Sequence, residues 1–274
     1  HAVILGIIEG LTEFLPVSST GHVTIAEKLL GYGIDDQGMT AFTAVIQLGA
    51  IAAAVVYFRA DIAQLAVAWW RGIVDKTART HPGYRMGWNV IIGSIPIAIV
   101  GLALKDVIEG PLRNLWVVVA GLVVWSVVMW IADRAGRATR GEESVTWRDA
   151  LLIGLTQCLA LVPGVSRSGA TISAGLLSGL DRVTATRLSF FFGIPALLAA
   201  GGLEAVTQAG NISTTVGWGP VLIGTVVSFV AGYASIAWLL RFVAHHKFTG
   251  FIVYRLLAAA VIIVLLLTNT IAAL

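Results

Sequence analysis

Six long apolar stretches follow one another along this chain, and no fold that left them in water could bury them all. They run from Ala41 to Phe58, Trp88 to Leu104, Leu115 to Ile131, Leu188 to Leu203, Val216 to Leu240 and Phe251 to Leu267. A helix needs about 20 mostly apolar residues to cross roughly 30 Å of hydrocarbon, so each stretch is read as a transmembrane helix. Composition agrees: 57% of the residues are hydrophobic and 12% charged, against roughly 25% charged in a soluble domain. The polar segments between the stretches are too short to fold separately, so a single membrane domain over 1–274 is expected. A net charge of +3, carried in short loops, speaks for membrane topology and against nucleic acid as a partner. Cys158 has no second cysteine to pair with and reads as a small packing residue. His1 leads straight into apolar sequence with no initiator Met, so the chain is expected to be trimmed at its start, without a cleavable signal peptide.

Two further segments, Glu9 to Leu30 and Leu151 to Leu180, are as apolar on average but broken in the middle, by FLPVSSTG and by LVPGVSRSG. Proline removes a backbone donor and glycine ends helices, so neither segment is expected to cross as one helix. Each is expected to enter the membrane, turn, and return to the same side. Lys and Arg concentrate on the cytoplasmic side of membrane proteins. Arg59, Arg71, Lys76, Arg79 and Arg85 share one loop, and Arg134, Arg137, Arg140 and Arg148 another. Arg182 and Arg187 precede the fourth span, and Arg241 and Lys247 follow the fifth. With six spans and two re-entrant hairpins, all four groups fall on the cytoplasmic face. The GYGIDDQG loop, the loop from Gln208 to Thr215 and both termini then fall outside. The charge rule supports this orientation, whereas re-entrance rests on the prolines and glycines.

The broken segments also match each other. At an offset of 148 residues Gly6 pairs with Gly154, Glu9 with Gln157, Ser18 with Ser166, Thr20 with Ser168 and Gly21 with Gly169. At 131, Val90 pairs with Val221, Ile92 with Ile223, Gly93 with Gly224, Ser94 with Thr225 and Gly101 with Gly232. Three spans separate the two units, and an odd number turns the second upside down. The expected fold class is an all-α integral membrane protein of six transmembrane helices plus two re-entrant helical hairpins, in an inverted-topology repeat of about 1–133 and about 149–274. Hairpins entering from opposite faces would meet near the middle, where inverted-repeat membrane proteins build polar sites.

Charges at mid-membrane are costly and usually functional. Glu9 and Glu13 are four residues apart, on one helix face. Two carboxylates so placed require that one be protonated or that a divalent cation sit between them, and hard oxygen ligands suit Mg²⁺ or Ca²⁺. Glu9 bonding within its own hairpin is the plain alternative. Arg167 lies between Ser166 and Ser168, with Gly164 and Gly169 beside them; a planar guanidinium suits phosphate oxygens, and it could equally serve as a structural partner for Glu9 or Glu13. Ser18, Ser19, Thr20 and Gly21 form the matching donor-rich turn of the first hairpin, followed by His22. His245 and His246 read as solvated, the nine tryptophans mostly as interfacial, and NIS at Asn211 fits a glycosylation pattern that arises often by chance. There is no Walker loop, dinucleotide fingerprint or cysteine-rich metal cluster.

EGLTEFLPVSSTGH and LVPGVSRSGAT, with QCLAL before the latter, resemble the two signature regions of the undecaprenyl pyrophosphate phosphatase, or bacitracin-resistance, family. The resemblance covers essentially the whole chain. It implies removal of the terminal phosphate of the C55 isoprenoid pyrophosphate, with a divalent cation, in the bacterial plasma membrane, for recycling of the cell-wall lipid carrier. It places the acidic motif on Glu9 and Glu13, the histidine on His22, the serines on Ser18 and Ser19, and the phosphate-binding signature on Ser166, Arg167, Ser168 and Thr171. The expected assignment is therefore Glu13, Ser19, His22 and Arg167 in catalysis. Ser18, Ser166, Arg167, Ser168, Gly169 and Thr171 would bind substrate, and Glu9 and Glu13 the cation. The attacking group is left open between a water, the Ser19 hydroxyl and His22, with Glu13 or His22 as base for the first two. Undecaprenyl pyrophosphate and membrane lipids are the expected partners, a homodimer is left open, and the active site is expected on the extracytoplasmic side. A lipid flippase or transporter using the same buried polar groups is the rival reading.

Overall fold

The protein is described here by a computed structural model covering residues 1–33, 37–207, 210 and 216–273. Asp35, Asp36, and the loop with Gln208 and Asn211, which entered the orientation and glycosylation expectations, lie outside the described residues. The first broken segment forms α1 (Ala2–Phe14) and α2 (Ser19–Leu29). Then come α3 (Gln37–Tyr57), α4 (Arg59–Val74), α5 (Pro82–Ala103), the short α6 (Lys105–Glu109) and α7 (Leu115–Ala135). The second broken segment forms α8 (Trp147–Gln157) and α9 (Arg167–Leu177), followed by α10 (Arg182–Thr207), α11 (Trp218–His245) and α12 (Thr249–Leu267). Among the described residues, six helices are long and apolar enough to cross a bilayer: α3 from Gly38, α5, α7, α10, α11 and α12. All six coincide with the apolar stretches, extended at one or both ends in most cases. The protein is an all-α, multi-pass membrane protein.

The breaks form where the residue before each proline is pushed into extended backbone. Leu15, before Pro16, has φ −70° and ψ 144°, and Val162, before Pro163, has φ −78° and ψ 120°. Ser18 and Ser166 then each adopt φ 77°, a left-handed conformation uncommon for a residue with a side chain. Each serine caps the helix that follows: Ser18 Oγ accepts from the Gly21 N–H at 3.5 Å, and Ser166 Oγ from the Gly169 N–H at 3.2 Å. The two turns therefore share their backbone geometry at the offset of 148. Pro96 and Pro195 lie inside α5 and α10 and break neither; in a membrane bundle neighbouring helices can satisfy the freed backbone groups.

The two broken segments are woven into the opposite parts of the chain. Helix α1 lies on α11 so closely that a Cβ at Gly6 would stand 2.6 Å from the Gly224 carbonyl oxygen. Helix α8 meets α5 in the same way, a Cβ at Gly154 standing 2.5 Å from the Gly93 oxygen. Small residues allow such backbone contact between membrane helices. A phenylalanine cluster closes the core beside the first break: Phe14 meets Phe190 edge to face at 5.5 Å, and Phe58 packs on Phe190 and Phe191.

The stretch from Arg59 to Arg85, read from the sequence as a basic loop, is mostly helical. Helix α4 turns Ile62, Leu65 and Trp69 toward α5 and α10 while Val67, Trp70 and Val74 stay exposed. It is an amphipathic helix whose flanking arginines obscured its period. Arg187 of α10 holds it by its first turn, 2.7 Å from Asp61, and also reaches Glu142 at 2.8 Å.

At the start of α8, Asp149 completes a capping box with Thr146 and takes a bidentate bond from Arg140 at 2.7 and 3.1 Å. Burial pushes the Asp149 carboxyl upward, but the bonds from Arg140 and Thr146 outweigh it and hold the carboxyl below its ordinary value. A carboxyl depressed in the folded state contributes stability that is complete above its unfolded value of roughly 3.9 and is lost as pH falls through the folded value. Thermal melts in detergent should therefore separate Asp149→Asn from the parent at pH 6, and the gap should narrow as the pH is lowered to 3. By the packing argument, Gly154→Val should lower the melting temperature by the equivalent of about 1–3 kcal/mol. Gly250→Ala, where a Cβ meets nothing within 4 Å, should leave it nearly unchanged.

Candidate active site between the two broken segments

The ends of the two breaks meet, and the polar residues of both turn toward the junction. Glu13, in the last turn of α1, is buried. Its Oε1 lies 3.4 Å from Nη2 of Arg167, the first residue of α9. Its Oε2 accepts a 2.7 Å bond from the Ser19 hydroxyl and a longer one, 3.5 Å, from Gln47 of α3. A second bridge runs from the Ser168 hydroxyl to the Leu15 carbonyl at 3.0 Å. Arg167 is itself held from α10, donating through Nη1 to the Ser189 carbonyl at 2.8 Å, while its Nε is buried without a partner. Thr171 supports the same corner, its hydroxyl 2.8 Å from the Arg167 carbonyl and 2.7 Å from the Ser189 hydroxyl.

The remaining candidates occupy distinct places. Ser18 and Ser166 spend their hydroxyls on the helix caps, and Ser166 also lies 3.1 Å from the Ser168 hydroxyl. Gly169 donates its N–H to the Ser166 cap. His22 bonds other partners: its Nδ1 bonds the Ser18 carbonyl at 2.8 Å and its Nε2 the Tyr254 hydroxyl at 2.7 Å. The hydroxyl of Ser19 is thus bonded to Glu13, and both ring nitrogens of His22 are engaged elsewhere. A cavity of about 60 Å³, lined in part by Thr20, Thr24, Glu27, Arg113 and Pro163, adjoins both turns.

Glu9 stands one turn before Glu13 in α1. It is buried, and its Oε1 has no hydrogen-bond partner. The carboxylates of Glu13 and Glu27 both act on it electrostatically. Among the described residues no three His, Cys, Asp or Glu side chains gather closely enough to hold a metal by themselves. A Mg²⁺ ion that takes one or two carboxylates and completes its shell with waters and substrate phosphates needs no such group. An orphaned oxygen on Glu9 beside Glu13 fits that donor set.

One residue that holds the junction together escaped the sequence reading. Arg255, in the second turn of α12, is 0% exposed and makes five hydrogen bonds. It donates to the Pro16 carbonyl in the first break at 3.2 Å and to the Gly164 carbonyl in the second at 2.8 Å. Gly121 and Leu122 carbonyls and the Ser126 hydroxyl of α7 take the rest. The signal was present: an arginine inside an otherwise apolar span is a functional or structural centre by default.

These features define an all-helical, multi-pass membrane protein with a carboxylate, guanidinium and hydroxyl cluster between two broken helices. The chain belongs to the family of the bacitracin resistance protein BacA, whose family model matches residues 2–261. Among curated relatives, undecaprenyl-diphosphatase 3 of Frankia casuarinae is 57% identical over 273 residues, all of this chain and 98% of that protein. The undecaprenyl-diphosphatase of Cutibacterium acnes is 55% identical over 280 residues, covering all of this chain and 99% of its own. Undecaprenyl-diphosphatase 1 of Streptomyces coelicolor is 54% identical over 270 residues, 98% of this chain and 96% of that one.

Replacing Arg255 by Met removes every donor of the fork and leaves buried carbonyls without partners, each costing about 1–3 kcal/mol. Arg255→Met should therefore melt well below the parent in detergent and lose activity, whereas Arg241→Met, at an exposed position, should do neither.

Proposed function

We propose that this protein is a membrane undecaprenyl-diphosphatase, which hydrolyses undecaprenyl diphosphate to undecaprenyl phosphate and inorganic phosphate in the bacterial plasma membrane. The observation that carries the reading is the junction of Glu13, Ser19 and Arg167 in a chain whose full-length relatives bear that enzyme's name. Those names favour the enzyme over a transporter built from the same buried groups. The substrate joins an apolar tail to a highly charged head, and a polar site buried among apolar helices suits both parts. The two matched turns, with their exchanged packing partners, support an inverted repeat of about 1–133 and about 149–274. The broken segments then enter the membrane from opposite faces as re-entrant hairpins, with the site open to the extracytoplasmic side.

Phosphoryl transfer asks mainly for positioning and for stabilisation of charge on the phosphoryl oxygens. Arg167 is placed to take the terminal phosphoryl group, exchanging its long contact with Glu13 for phosphate oxygens. Its Ser189 anchor fixes the direction of the fork. Ser168 and the first N–H groups of α9 complete this wall, Thr171 braces it from behind, and Ser18 and Ser166 shape the two turns, Gly169 donating into the Ser166 cap. The 2.7 Å bond makes Glu13 the base for Ser19. The Ser19 proton passes to Glu13 as its oxygen attacks the terminal phosphorus, the anhydride bond breaks, and undecaprenyl phosphate leaves. Water then releases the phosphate from Ser19. Glu9 and Glu13 would hold a divalent cation, Mg²⁺ or Ca²⁺, whose charge offsets that of the pyrophosphate oxygens.

Phosphate release from undecaprenyl diphosphate by the purified protein in detergent tests this reading. Glu13→Ala and Arg167→Ala should each lower kcat roughly a hundredfold or more, chelator should suppress the parent, and His245→Ala should change nothing. Folded protein that binds the lipid without releasing phosphate would overturn it. Rapid acid quench should trap phosphate on Ser19; inversion at phosphorus in a single step with no trapped phosphate would assign the attack to water instead.

A further inference from the structure

Tyr254 of α12 and His22 of α2 are 232 positions apart in sequence and bonded side chain to side chain. The Ser18 carbonyl can only accept, so the proton of the 2.8 Å bond belongs to His22 Nδ1. In the neutral ring Nε2 then has a lone pair and no proton, and the Tyr254 hydroxyl, 2.7 Å away, must be the donor. The two rings are nearly parallel, at an interplanar angle of 11° and with centroids 5.5 Å apart. Tyr254 is 46% exposed, so its oxygen can exchange this bond for others if His22 withdraws.

The carbonyl at the other end of this chain of bonds belongs to Ser18, the residue with φ 77° that directly precedes Ser19. A left-handed backbone at a serine persists only where its surroundings hold it. Its carbonyl accepts twice from His22, from the backbone N–H at 3.3 Å and from the ring Nδ1 at the shorter 2.8 Å, and Tyr254 holds the ring that makes the shorter bond. Next to Tyr254, Arg255 holds the Pro16 carbonyl two residues earlier in the same turn. The neighbouring pair on α12 thus fixes the first break from two sides.

We infer that Tyr254 is a positioning residue for the hydrolysis, acting through His22 and the Ser18 carbonyl to aim the Ser19 hydroxyl at Glu13. On this assignment His22 does not take the Ser19 proton; it carries no free lone pair with which to do so. The inference rests on the phosphatase reading for its kinetic consequence, and on the geometry alone for the state of the ring.

Two measurements separate these. With the histidines labelled with ¹⁵N, solid-state NMR of the full-length protein in lipid bilayers reports the ring tautomers, and His22→Gln identifies the signals of His22. A neutral His22 protonated at Nδ1 in the parent, losing its Nε2 hydrogen-bond shift in Tyr254→Phe, is the expected result; a ring protonated at Nε2 would overturn the inference whether or not the protein turns over. In the phosphate-release assay, Tyr254→Phe should lower kcat roughly tenfold, about the worth of one hydrogen bond, with KM within about twofold. The same substitution made in the His22→Gln protein should cost nothing further. Losses that multiply, or full activity in Tyr254→Phe, would show that the tyrosine does not work through His22. A parent that releases no phosphate would fault the phosphatase reading and leave the tautomer result standing.

Discussion

The junction depends on a cation that has no anion. Arg255 is fully buried, and among the described residues no carboxylate pairs with it; backbone carbonyls and one serine hydroxyl hold it instead. A guanidinium cannot shed its charge, so its burial is tolerable only because nearly all its hydrogens point at oxygen. Two of those oxygens are available because Pro16 and Gly164 sit in breaks, outside the flanking helices. Broken helices and buried arginine therefore require each other. The breaks expose carbonyls that need a donor, and the donor fixes the two breaks at one distance.

That arrangement leaves a positive charge behind the turns and a second one, Arg167, between them, facing Glu13. The charges at the junction are balanced across the two segments and not within either one. Glu13 comes from α1 and Arg167 from α9, Ser168 reaches back to Leu15, and Ser19 bonds to Glu13. Each group that could touch a substrate is held by a neighbour from elsewhere in the fold: Ser189 behind Arg167, Gln47 beside Glu13, Tyr254 behind His22.

Much of this was legible because the bilayer restricts what a sequence can do. Six apolar stretches become six long helices, and prolines with extended residues before them become breaks at Leu15 and Val162. Pro96 and Pro195 show the limit of that rule, since the same residue sits inside unbroken helices where no glycine or polar turn follows it closely. The pairing of Glu13 with Arg167 was one of the alternatives the charges allowed. Arg255 went unread because an arginine near the end of a span more often extends to the headgroups, and sequence does not tell which way it points. Helix α4 was hidden for a related reason: its charged flanks satisfied the topology rule and its apolar face went uncounted. The tautomer of His22 depends on a residue 232 positions away, which no local pattern encodes.

The glycine contacts carry a consequence for synthesis. Helix α1 is made well before the surface it packs on, which belongs to α11, whose contact residue Gly224 lies 218 positions after Gly6. Arg167, the partner of Glu13, is 154 positions away. Until those parts are made, a short helix with two carboxylates has no place in the bilayer where it is stable. The first segment must wait at the membrane surface or in the insertion machinery for most of the chain to be translated. The junction is thus completed only once α9, α11 and α12 have followed α1 into the membrane.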